Sequence, residues 1–150
     1  MKNKSLVHRI SKILVDVLFY FGILAVIAVP WWSKFLSESM FYTEAEWYMM
    51  MGVLMLTGAC AVYILFVIKG MYKTLLGENP FVSENVSAFR KVAVASALIA
   101  LVYLIKCVFL FSVATLVIVI IFSVATLFCL TLKDIFKQAV CYKEENDWTV

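Results

Sequence analysis

Apolar residues run along this chain in long stretches that only a few polar places interrupt. Ile13 to Val29 is apolar apart from Asp16, and it leads into Pro30 and the pair Trp31 and Trp32. Tyr48 to Ile68 is 21 residues without a charge. At about 1.5 Å per residue, a helix of that length covers the roughly 30 Å hydrocarbon core of a bilayer. Val92 to Leu132 holds 41 residues with a single charge, Lys106. As one helix it would reach about 60 Å, twice the membrane core, so it must fold back near its midpoint, Ser112. The pattern predicts four membrane-spanning helices, over 13–32, 48–68, 92–111 and 113–132. No Gly or Pro marks the last turn, and a turn at Lys106 and Cys107 with a longer, tilted fourth helix is the alternative.

Between the second and third spans polarity returns over 69–91, in the sequence GENPFVSENVSAFRK. Pro80 disfavours helix just upstream, and Ser83 is expected to cap a helix that begins at Glu84. In the tail, 133–150, Ile135, Phe136, Ala139 and Val140 recur at helical spacing. That spacing predicts a short amphipathic helix leaving span four, lying along the membrane or docking a partner. Trp31, Trp32, Phe41, Tyr42, Trp47 and Tyr48 bracket a short segment with Lys34, Glu38, Glu44 and Glu46, which places it at a membrane interface. The expected architecture is one all-α membrane domain over 1–150, a four-helix bundle with a short cytoplasmic amphipathic helix at its C-terminus. FSVATL occurs at Phe111–Leu116 and again at Phe122–Leu127, eleven residues apart. Ser112, Thr115, Ser123 and Thr126 are therefore expected on one small, weakly polar stripe, suited to close helix packing or to self-association as a homodimer.

Composition strengthens this reading: 65% of the residues are hydrophobic and 15% charged, far from the soluble norm. The placement of charge orients the chain. Of 13 Lys and Arg, only Lys34 and Lys106 fall outside the N-terminus, the 69–91 segment and the tail. The positive-inside rule puts both termini in the cytoplasm. A cleaved signal peptide is the competing reading of the basic start, with Val26 and Ala28 as a cleavage site, but the acid in the run, the proline after it and the further spans favour an uncleaved helix. The net charge of +3 is mild and its distribution does not point to nucleic acid.

Few residues offer chemistry. Cys60, Cys107, Cys129 and Cys141 make no CxxC pair, and His8 is the only histidine. Thiol oxidation, intramembrane haem, a Ser/His/Asp set, zinc spacing and a phosphate loop all lack their residues, so neither an enzyme nor a cofactor is expected. Met49, Met50, Met51 and Met55 read as flexible apolar filler rather than copper ligands. Asp16 is the one acid inside a span, which makes it a functional candidate. It lies one turn from Lys12, the expected partner of a plain ion pair. Lys106 is the corresponding base, able to snorkel to the outer interface or, if turned inward, to hold an anionic group.

GENPFVSENVSAFRKVA and FKQAVCYKEENDWTV resemble an uncharacterised bacterial membrane family, domain of unknown function 2975, over essentially the whole chain. In that family a glycine, a Pro-Phe and an Asn precede an Arg that opens the third helix, matched here by Gly77, Pro80, Phe81, Asn85 and Arg90. The family's tail ends in a run like EEND with Leu-Thr and an aliphatic residue, matched by Glu144, Glu145, Asn146, Asp147, Thr149 and Val150, whereas Trp148 replaces the usual Leu. The resemblance implies a four-span inner-membrane protein, mostly of Gram-positive bacteria, often encoded beside a small helix-turn-helix regulator. Together these readings give a non-enzymatic protein that signals to a cytoplasmic partner such as that transcription regulator. Its candidate partner-binding residues are Asn79, Pro80, Phe81, Asn85, Arg90, Glu144, Glu145, Asn146 and Asp147. A small homodimeric transporter or immunity-type protein using Asp16 is the alternative.

Overall fold

Each predicted run forms a helix in the computed structural model, which describes residues 2–40, 43–75 and 81–148. The elements are α1 (Lys2–Met40), α2 (Glu44–Leu75), α3 (Ser83–Phe109) and α4 (Val113–Trp148), with no strand among the described residues. All four are long and apolar enough to cross a membrane. Their surfaces agree: Val17, Phe21, Leu24 and Ile27 on α1 are 58% to 72% exposed. Water does not tolerate so much contiguous apolar surface, whereas lipid solvates it. This is the build of a multi-pass membrane protein.

The helices exceed the predicted spans because nothing in the local sequence stops them at the membrane boundary. α1 runs through Pro30, which lies inside the helix, an accommodation that spanning helices make more readily than soluble ones. At the start of α2, the Thr43 backbone N–H and its Oγ1 both donate to Glu46 Oε2, at 2.9 and 2.8 Å. The Glu46 carboxylate thus reaches back over the first turn to take up the Thr43 N–H, the acid's half of a Thr-x-x-Glu box. Ser83 is not the expected cap. The N-cap of α3 is Val82, extended and without a side-chain cap bond, and Ser83 is the first helical residue.

The turn between the third and fourth helices occupies Leu110–Ser112, as the midpoint of the long apolar run predicts. Leu110 ends α3 at φ −133° and donates its N–H to the Lys106 carbonyl at 2.8 Å. Its negative φ explains why no glycine is needed. On the tail the sequence reading is corrected. No separate amphipathic helix follows span four; α4 continues unbroken through Trp148. Lys133–Trp148 contains no Gly or Pro to end it.

Packing follows the chain: α1 meets α2, α2 meets α3 and α3 meets α4, with no contact between α1 and α4 among the described residues. The expected bundle is therefore an open row rather than a closed ring, consistent with the weak drive for apolar helices to leave lipid for one another. Small residues decide the close approaches. Along α3, Ala88, Ala93, Ala95, Ser96 and Ala100 are buried. Val67 and Met71 of α2 pack with Ala88 and Val92 of α3, and Phe89 and Cys129 lie against that cluster. At the α1–α2 seam, a Cβ on Gly58 would sit 2.9 Å from Val26 Cγ2, and one on Gly22 3.3 Å from Val62 Cγ2. The FSVATL stripe splits: Thr115 is buried, while Ser112 precedes α4 and is exposed, as is Ser123.

Candidate functional site

The antiparallel path brings the start of α1, the end of α2, the start of α3 and the end of α4 to one side, the terminal face. Near it stands the most polar contact within the spans. Asp16 Oδ1 lies 2.9 Å from Lys69 Nζ, with both side chains about one-third exposed, at 31% and 32%. Oδ1 is shielded from solvent and receives no well-angled hydrogen bond among the described residues, so the contact is one of charges more than of a directed bond. Lys69 also lies 5.1 Å from the Phe19 ring centroid and 4.9 Å from that of Tyr20, within cation–π range. The carboxylate thus meets a base on the neighbouring helix rather than Lys12.

Lys106 occupies the opposite end of the row. Its Nζ donates to Thr115 Oγ1 at 3.1 Å and lies 5.9 Å from the Tyr103 ring. Thr115 is 2% exposed. The lysine thus clasps the α3–α4 turn, while Asp16 pairs with Lys69 at the other end of the row.

The family-like residues around the third helix divide between surface and interior. Asn79 and Pro80, with Gly77, lie outside the described residues. Phe81 is 43% exposed and its ring lies 5.5 Å from that of Phe136, which in turn lies 4.9 Å from Phe89. Asn85 is 1% exposed, with Oδ1 2.6 Å from Thr74 Oγ1. The Thr74 hydroxyl also reaches the Met71 carbonyl at 2.8 Å, and its single proton serves one acceptor at a time. Asn85 therefore joins α3 to α2 from a buried position. Arg90 is exposed on the flank of α3.

On α4, Glu144, Glu145 and Asn146 are exposed, Cys141 Sγ lies 3.9 Å from Glu145 Oε1, and Asp147 lies in the last helical turn. Thr149 and Val150 lie outside the described residues. Ile135 and Tyr142, at 54% and 68%, are exposed apolar positions on the same helix. Lys133 pairs with Asp134 at 3.0 Å. Among the described residues no group of three His, Cys, Asp or Glu is placed to hold a metal ion.

The reading by sequence missed Lys69, Thr74 and Phe89, and put Thr115 on a packing stripe without naming Lys106 as its partner. A signal existed for the first: Lys69 ends an apolar run of about one membrane thickness and so lies at the depth of Asp16 in an antiparallel hairpin. Thr74 and Phe89 carry none, because a Thr or Phe in the 69–91 segment looks the same whether it faces outward or a neighbour. Compared with known proteins, residues 13–150 match the family described as "Protein of unknown function (DUF2975)". No curated protein and no solved structure matches the chain.

Proposed function

The chain belongs to the DUF2975 family, and from that premise, which brings no activity with it, we propose that it is a non-enzymatic membrane protein that signals to a soluble partner. In this reading the membrane is a bacterial cell membrane and the terminal face is cytoplasmic, as the excess of Lys and Arg there argues. The observation that carries the proposal is α4. Its 36 residues make a rod of about 54 Å, some 24 Å longer than the hydrocarbon core. Phe136, packed on Phe81 and Phe89, braces the projecting half against the rest of the molecule.

The projecting half carries the exposed Ile135 and Tyr142 and the exposed acids Glu144 and Glu145. A helical face with apolar anchors and an acidic end suits a partner with a hydrophobic groove and a basic rim, such as a helix-turn-helix regulator. The same continuity gives the partner a handle on the membrane helices. Cross-linking in native membranes tests this by comparing the full chain with one truncated after Leu132. A soluble regulator captured only by the full chain is the expected result, and equal capture by both overturns the proposal.

A second reading, a small homodimeric transporter or immunity protein, rests on Asp16. The nearby ammonium of Lys69 favours a structural role for that carboxylate over proton coupling, since the pair is already neutral overall. The transport reading requires that Asp16→Asn abolish a proton-dependent phenotype, and a fully active variant removes it.

A further inference from the structure

One groove belongs to none of these roles. It runs between α2 and α3 with a volume of about 570 Å³. Its lining recurs at helical spacing on both walls: Leu56, Cys60 and Tyr63 on α2, with Lys91, Val94 and Leu98 on α3. Ala59, Cys60 and Ala95 are too small to fill the space between the larger Leu56, Val94 and Leu98, which are 48%, 63% and 42% exposed. At the end toward the terminal face the lining changes character, to Ser87, Arg90 and Lys91. Both cations are exposed, and neither has an ion-pair partner among the described residues.

Depth identifies what such a groove meets. Lys91 is 19 residues before Leu110 in the far turn, a separation of about 28 Å along a helix, close to the hydrocarbon thickness. Arg90 and Lys91 therefore stand at headgroup level while the rest of the groove lies at the depth of acyl chains. Glu84, two turns back along α3, lines the adjoining cleft that also includes Lys91, and its charge opposes an anion moving past the two cations. We propose that this groove is a binding site for one anionic phospholipid, its phosphate held by Arg90 and Lys91 and one acyl chain lying along the wall toward Leu98. The two cations supply the charge complementarity, the guanidinium bonding phosphate oxygens in pairs, and the apolar groove supplies the length. The proposal is independent of whether α4 binds a partner.

Native mass spectrometry of the purified full chain, offered phosphatidylglycerol and phosphatidylcholine in equal amounts, tests it. The native sequence should retain phosphatidylglycerol in preference by about tenfold, the scale expected of two interfacial cations. Arg90→Gln/Lys91→Gln should lose that preference, whereas Arg9→Gln/Lys12→Gln, which removes the same charge from α1, should keep it. Ala59→Trp, at an exposed position that fills the groove, should reduce retention of both lipids. Circular dichroism verifies that each variant is folded, and the paired Gln variant decides the matter if the Trp variant is not. A preference that survives Arg90→Gln/Lys91→Gln overturns the site. So does loss of bound phosphatidylglycerol on adding excess inorganic phosphate, which would make the cations a free-anion site.

Discussion

Asp16 and Lys69 show how a charge is kept within an apolar span. Each side chain is only about one-third exposed, so removing one partner leaves the other in surroundings that solvate it poorly. Asp16→Ala and Lys69→Ala should each lower stability in micelles, and the double variant by less than their sum. A denaturation series on the four proteins checks this, and strict additivity would show that the charges do not interact. Thr115→Val, which removes the acceptor of Lys106, should cost about 1 kcal/mol and lower the melting temperature of the micelle-held protein. The existence of both charged residues as special positions was legible in the sequence. Their partners were not, because Lys12 and Lys69 are equally good by charge and only the register of α1 on α2 chooses between them. Asn85 makes the same point: the sequence shows one more polar residue in the 69–91 segment, while its 1% exposure shows that it is interior.

At the level of elements, close packing of α1 on α2 depends on what glycine lacks. Gly58→Leu places its Cβ 2.9 Å from Val26 Cγ2, and overpacking of this kind typically costs about 1–3 kcal/mol. Val26→Ala on the same chain should recover part of the loss, measured by thermal unfolding, and no recovery would mean that the seam yields elsewhere. On α4, Phe136→Ala should cost about 2 kcal/mol, roughly half the usual loss for a fully enclosed phenylalanine. It should also speed hydrogen exchange at the start of α3. The number of helices and the Leu110–Ser112 turn could be read from the lengths of apolar runs, which are set by the bilayer. The helix ends could not. Ser83 has the right side chain for a cap but lies one residue inside the helix, and the tail's amphipathic spacing is the same for a separate helix as for a continuation of α4. Absence of a breaker after Leu132 was the better guide than periodicity.

For the whole molecule, if all four helices cross the bilayer, Arg9 and Cys141 lie on one side of it and residues 110–112 on the other. A membrane-impermeant maleimide should therefore label Cys141, which is exposed, from the same side as a cysteine placed at Arg9, and one placed at Ser112 from the opposite side. Labelling of all three from one side would break the four-span topology. The class of the molecule was legible because bulk hydropathy determines it, whereas the open row was not, since the same four stretches fit a ring equally well. That row has a consequence for how the protein is made. Every tertiary contact of α1 among the described residues is with α2, so a ribosome that has released α1 and α2 into the membrane has already supplied every partner that α1 has among them. Each later helix likewise docks on the one before it. Assembly can proceed in the order of synthesis, without waiting for a distant segment to close the structure and without the slow search that such closure imposes.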